Sequence, residues 1–234
     1  MFFIFCSCLE PQITAEKVLQ KSIQAHGGEN LANKIKSIHY NKSTKLFDAN
    51  GQLESHVSQK IVHQWSPFLT KINWENEEKS YVAQKKSDEV SLYINGQLIK
   101  DTLKINQTKS SLDAALYVFW QPFKLVDPTA KKVYLGKQRI LDSIDVLALK
   151  VYYSEDPKAD VWHYYLNPNN YKIRAVKVDH NERTSMILNE HYETETGLSL
   201  NKTRKSYFLD SLGQIKYLRA AYKYEITLVE YYKK

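Results

Sequence analysis

The residues able to do chemistry in this chain are few and poorly gathered. Seven histidines are scattered along it: His26, His39, His56, His63, His163, His180 and His191. His180 and His191 fall near Asp179, Glu182 and Glu190 in neighbouring predicted strands. A metal site there needs ligands converging from both strands; a solvated sheet face is the simpler expectation. Glu190, Glu193 and Glu195 could pair for acid–base work only if two of them entered a dry cleft. The chain has no Gly-x-Ser-x-Gly elbow, no Walker-type phosphate loop and no dinucleotide fingerprint. Its two cysteines, Cys6 and Cys8, both precede residue 9, so the body has no disulfide framework, zinc ribbon or cysteine nucleophile. The expectation is a non-enzyme without metal or cofactor.

The aromatic residues are more suggestive. Trp65, Trp74, Phe119, Trp120, Phe123 and Trp162 are large, and several alternate inward on predicted strands or lie on a predicted central helix. Ordinary core packing explains them. So does the lining of a partly open cavity, since ligand cavities are mostly apolar with a few polar groups. Both readings stay open at this level.

Charge excludes one class. Lys plus Arg number 33 and Asp plus Glu 26, a formal +7 spread along the chain. The densest basic stretch, Lys202–Lys205, follows the acidic Glu190, Glu193 and Glu195. A nucleic-acid binder concentrates its charge on one face or tail, so no nucleic-acid partner is expected. Asn-x-Ser/Thr sites at Asn41, Asn106 and Asn201 are read as chance matches in a chain rich in these residues.

The first residues, Met-Phe-Phe-Ile-Phe-Cys-Ser-Cys, switch abruptly to polar chain after Cys8. The pattern is similar to the end of a bacterial lipoprotein signal, with Ser7 as the small residue before a lipidated Cys8. The apolar run is short and has no preceding Lys or Arg, so residues 1–8 are read as a truncated signal and 9–234 as a single domain. The other reading is an apolar tail. No other stretch approaches the roughly 20 apolar residues of a membrane helix.

The elements follow from periodicity. Thr14 caps a helix with Glu16 in its first turn; Ile13 and Val18 have the spacing of a hydrophobic staple. Val18, Leu19, Ile23 and His26 form its stripe, and Gly27-Gly28 ends it. A short helical turn is expected over Glu29–Lys34. The period then moves to two: Ile38, Tyr40, Lys42, Thr44, Leu46 share one phase, as do Leu53 to Trp65 at alternate positions, then Phe68, Thr70, Ile72 and Trp74. Val90–Ile94, Asn95-Gly96 and Gln97–Leu103 read as a hairpin on a type I′ turn. A helix is expected over Ser110–Trp120, with Ser110 and Asp113 as a capping box and Leu112, Ala115, Leu116 and Phe119 on one face. Strands resume from Lys132 to Tyr232, punctuated by Asn167-Pro-Asn-Asn170, Gly197 and Gly213. The fold class is α+β, mainly antiparallel β: a single curved sheet or incomplete β-barrel wrapped around one or two helices.

Ala15–Gly28, Tyr134-Leu-Gly136, and the aromatic strand Val161–Leu166 ending in Asn167-Pro168 give this order a resemblance to the periplasmic lipoprotein carriers and acceptors of Gram-negative bacteria. The block Pro122–Pro128 resembles an uncharacterised bacterial lipoprotein branch of that superfamily. The resemblance implies a half-barrel enclosing an apolar cavity for acyl chains, and no catalytic residues. It implies a monomeric lipoprotein of the cell envelope, held at the outer membrane through Cys8 and facing periplasm or surface. Its partner would be a lipid or other hydrophobic small molecule. The competing expectation is an envelope module with a filled core that docks a protein or glycan.

Overall fold

A computed structural model of the chain describes residues 13–156, 159–180 and 183–233. The first helix, α1 (Ala15–Ala25), starts where Thr14 accepts from the Lys17 backbone N–H. Its apolar stripe buries Val18, Leu19 and Ile23, while Ile13 stays half exposed, so no staple closes over the cap. A short α2 (Glu29–Ala32) follows.

The chain then builds β1 (Ile35–Phe47), β2 (Leu53–Trp65), β3 (Phe68–Asn76), β4 (Lys79–Lys86), β5 (Glu89–Ile94) and β6 (Gln97–Leu98) as one antiparallel meander. Asn95 and Gly96 both take positive φ, as the two-residue turn between β5 and β6 requires. After α3 (Thr102–Phe119) a second meander runs through β7 (Lys131–Ile140), β8 (Ile144–Tyr152), β9 (Val161–Leu166), β10 (Ile173–His180), β11 (Arg183–Tyr192), β12 (Asn201–Leu209) and β13 (Ile215–Tyr231). The last strand pairs with the first, from Ile35 opposite Tyr231 to Leu46 opposite Ala220. The two meanders thereby fuse into one curved, unclosed sheet of 13 strands whose edges are β6 and β7.

That topology dictates where α3 must lie. It is the connection from one edge of the sheet to the other, so it crosses the open side of the curve. It packs on β3, β4 and β5, and Leu112, Leu116 and Phe119 enter the same core as Tyr40, Ile61 and Leu149 of the sheet. Lys85 on β4 adds an ion pair to Asp113 at 2.6 Å.

The helix is longer than its apolar pattern. Asp101 is the N-cap, accepting from the Lys104 backbone N–H at 3.0 Å. Ser110 and Ser111 lie inside the helix and donate back to the Asn106 and Gln107 carbonyls at 3.2 and 3.0 Å. The expected β-strand through Leu103 is cut to Gln97–Leu98, because Asp101 caps α3 and the backbone is helical from Thr102.

The end of α1 is locked by backbone proximity. Ser199 donates its N–H to the His26 carbonyl at 3.1 Å. Gly27 has φ +107°, and a Cβ there would sit 2.7 Å from the Gly197 carbonyl oxygen. Gly27→Ala is therefore expected to destabilise by about 2–3 kcal/mol through combined strain and overlap. Gly51→Ala, at φ +79° with nothing within 4 Å, carries only the strain. Urea unfolding of both variants checks this; equal losses would remove the overlap from the account.

Candidate functional site

Between α3 and the inner face of the sheet lies a cavity of about 500 Å³, within the usual range for small-molecule sites. The helix contributes Ser111, Ala114, Ala115 and Val118, none of them large, and so leaves the space open. Opposite them the strands supply Ile72, Val176, Val178, Ile187 and Trp162. These come from both meanders, since the period of two sends every second residue inward.

One sector of the wall is polar. Lys42 on β1, Tyr222 and Tyr224 on β13 and Arg204 on β12 line it side by side, with Lys42 opposite Tyr224 and Arg204 opposite Tyr222 in the strand registers. Arg204 is 6% exposed. It donates Nη2–H to the Tyr224 hydroxyl at 2.7 Å, and its guanidinium lies over both rings, 5.4 Å from Tyr222 and 5.3 Å from Tyr224. Lys42 Nζ stands 5.5 Å from the Tyr222 centroid.

A second polar group sits at the C-terminal end of α3. Gln121 Nε2 donates to the Tyr164 hydroxyl at 2.8 Å, which donates to the Tyr117 hydroxyl at 2.9 Å. Burial raises the pKa of both tyrosines, so each stays a neutral hydroxyl. Gln121 Oε1 faces the cavity buried and without a partner among the described residues.

A second hollow of about 610 Å³, bordered by Phe68, Leu116, Tyr117 and Tyr153, shares Ala114, Val118 and Trp162 with the first. The residues singled out from sequence divide between these places. Trp162 lies on the wall of both hollows and meets Tyr117 edge-on at 5.2 Å. Phe119, Trp120 and Phe123 are buried in the core, and Trp65 packs on Trp120 at 4.4 Å. Trp74 stacks on Tyr81 at 4.9 Å in an adjoining groove that shares Lys42 and Gln59 with the cavity. Cys8 lies outside the described residues. Lys42, Arg204 and Gln121 were not singled out, yet Lys42 shares the phase of Ile38 and Tyr40, and a lysine in an apolar phase is a signal.

No group of three His, Cys, Asp or Glu suited to a metal occurs among the described residues. His180 Nδ1 meets Asp160, and His191 Nδ1 meets the Thr203 hydroxyl at 2.8 Å. Glu190 pairs with Lys205 at 2.7 Å. Glu193 caps its own loop, accepting from the backbone N–H groups of Glu195 and Thr196 and from the Thr196 hydroxyl. Glu190 and Glu193 thus serve separate structural partners, and Glu195 contributes its backbone N–H to Glu193.

The architecture has solved counterparts. A LolA superfamily protein from Nitrosomonas europaea matches with a TM-score of 0.58 at 9% identity, over 95% of this chain and 96% of that one. A DUF1329 family protein from Desulfovibrio piger matches with 0.54 at 8% identity, over 93% and 92%. The chain has the fold of these proteins. Coverage is nearly complete on both sides, so the shared unit is the whole half-barrel with its helices. No family profile and no curated protein matches the sequence. No helix among the described residues is long and apolar enough to cross a membrane.

Proposed function

We propose that this chain is a non-catalytic cell-envelope protein that holds a hydrophobic ligand, a lipid or acyl chain, between α3 and the concave face of its half-barrel. The observation that carries the reading is the cavity of about 500 Å³ beneath a helix that presents serine, alanine and valine to it. A filled core would place larger side chains there, so the cavity favours a ligand carrier over a docking module. Affinity would come from apolar burial, at roughly 25 cal/mol per Å² removed from water. Cys8 would carry the lipid that tethers the domain to the outer membrane, with residues 9–234 as the binding domain and the protein acting as a monomer. Trp162 would be the aromatic wall against the chain.

Native mass spectrometry of the full chain, purified without detergent, tests this. An excess mass that organic extraction removes, and that matches a lipid or fatty acid, is expected. An apo mass that takes up no added long-chain ligand would discard the carrier reading. Saturating ligand at about 100 times its dissociation constant should raise the unfolding free energy by about 2.7 kcal/mol.

A further inference from the structure

The cavity wall carries two cations and no Asp or Glu, and none of the ion pairs among the described residues includes Arg204 or Lys42. Arg204 is the sharper case. It is more than nine-tenths buried, and its Nε–H, equally buried, has no hydrogen-bond partner among the described residues. A guanidinium removed from water without a counter-charge is costly. The Tyr224 hydroxyl and the faces of two tyrosines offset part of that cost, but a guanidinium has five N–H donors, and neutral phenols supply no negative charge. Burial raises the pKa of the Tyr222 hydroxyl, so it stays neutral. The missing partner is an anion, and the planar fork of arginine fits a carboxylate or phosphate with two parallel bonds.

We infer that the ligand is an anionic amphiphile whose carboxylate or phosphate oxygens sit on Arg204, flanked by Lys42, while its chain lies along the apolar wall towards Trp162. This rests on the reading of the cavity as an acyl-chain site and names the chemistry of the headgroup. Both cations border the Tyr222 ring, Arg204 at 5.4 Å and Lys42 at 5.5 Å from its centroid, so Lys42 adds positive potential to the stretch of wall the headgroup would meet.

The test compares chain-matched ligands on the full chain by isothermal titration: palmitate, 1-palmitoyl lysophosphatidate and the neutral hexadecanol, with inorganic phosphate as a chainless control. At least one anionic amphiphile should bind tighter than hexadecanol by about tenfold or more, since hydrogen bonds to charged groups contribute about 1.5–3 kcal/mol. The tighter of the two anions names the source of the headgroup. Arg204→Gln should erase the difference by weakening the anions far more than hexadecanol; Lys42→Met, at a less buried position, should narrow it with Arg204 left in place. If hexadecanol binds wild type as tightly as both anions, the headgroup assignment is overturned while the acyl-chain reading stands. If inorganic phosphate binds and no long-chain ligand does, or if nothing binds, both readings fall together.

Discussion

Phe119→Ala should lower the stability of the protein by about 3–5 kcal/mol, and the melting temperature by roughly 6–20 °C at the sensitivity usual for this chain length. Phe119 ends α3 and is 1% exposed. Its ring stacks on Tyr40 at 4.0 Å and 13°, with Tyr224 at 5.9 Å and His63 at 6.0 Å. It is therefore the point where the crossing helix is fastened to β1, β2 and β13 at once. Truncation removes the packed ring and leaves a hole that Tyr40, wedged against the same neighbours, cannot close. The loss is a large part of the 5–15 kcal/mol that keeps a typical domain folded. Phe119→Leu, which fills much of the space, should cost clearly less. Guanidinium or thermal unfolding of the two variants decides it. An alanine variant within about 1 kcal/mol of wild type would mean that the end of α3 is not seated on the concave face in solution.

Acid should unfold the protein well before its carboxylates protonate. His26 and His63 are each 1% exposed. Burial pushes His26 down to about 4 and His63 down to about 3, from the 6.5 of a free imidazole; Lys172 and Lys124, respectively, add to the depression. His26 Nδ1–H donates to the Ser22 carbonyl at 2.7 Å and Nε2 has no partner. His63 bridges the Tyr40 hydroxyl at 3.0 Å and the Thr70 hydroxyl at 3.1 Å. Both are held neutral in the fold. A depressed base favours the folded state fully above its unfolded pKa. As pH falls below 6.5 the unfolded chain takes up protons that the folded chain refuses, and the advantage shrinks until the folded pKa values near 4 and 3 are reached. At about pH 4.5 each histidine should have forfeited about 2–3 kcal/mol relative to neutral pH. Asp127, Asp145 and Glu230 have carboxyl groups held below their usual range by hydrogen bonds, so their losses come at lower pH still. Urea midpoints measured from about pH 7.5 to 4.5 should fall steadily, and His26→Gln should flatten the slope by about half. A flat wild-type profile would show that neither imidazole is buried neutral.

The candidate site was only partly legible beforehand. Its apolar members follow from alternation: Val176 and Val178, or Tyr222 and Tyr224, two apart, share a face by the geometry of any strand. Arg204 sits in the densest basic stretch, Lys202–Lys205, where composition does not set it apart. Period two separates it from its neighbour: Lys205 faces outward to Glu190, whereas Arg204 turns inward onto Tyr224. Which of the two phases is concave depends on which face of the sheet α3 covers, and that helix lies far back along the chain. Gln121 was invisible for the same reason. Its partners Tyr164 and, through it, Tyr117 are brought together only when β9 meets the end of α3.

What the amino-acid order determined by itself was local. Thr14 capping α1, Gly27 closing it, Asn95-Gly96 making a tight hairpin and Pro122 stopping α3 each act through φ, ψ and hydrogen bonds within a few residues, so their effect does not wait for the rest of the fold. The alternation that made a curved antiparallel sheet the expected class is equally local. Tertiary structure decided the rest. The pairing of β13 with β1 joins the two ends of the described chain, and nothing in either strand names the other. The passage of α3 across the open side follows from β6 and β7 being the sheet's two edges, and its first turns, capped by Asp101, are seated by Ile105 on a core assembled from distant strands. The cavity, and the unpaired guanidinium in its wall, exist only once both meanders and the helix have closed around them. Burial is a property of the assembled neighbours, and it is burial that turns an ordinary surface arginine into a site for an anion.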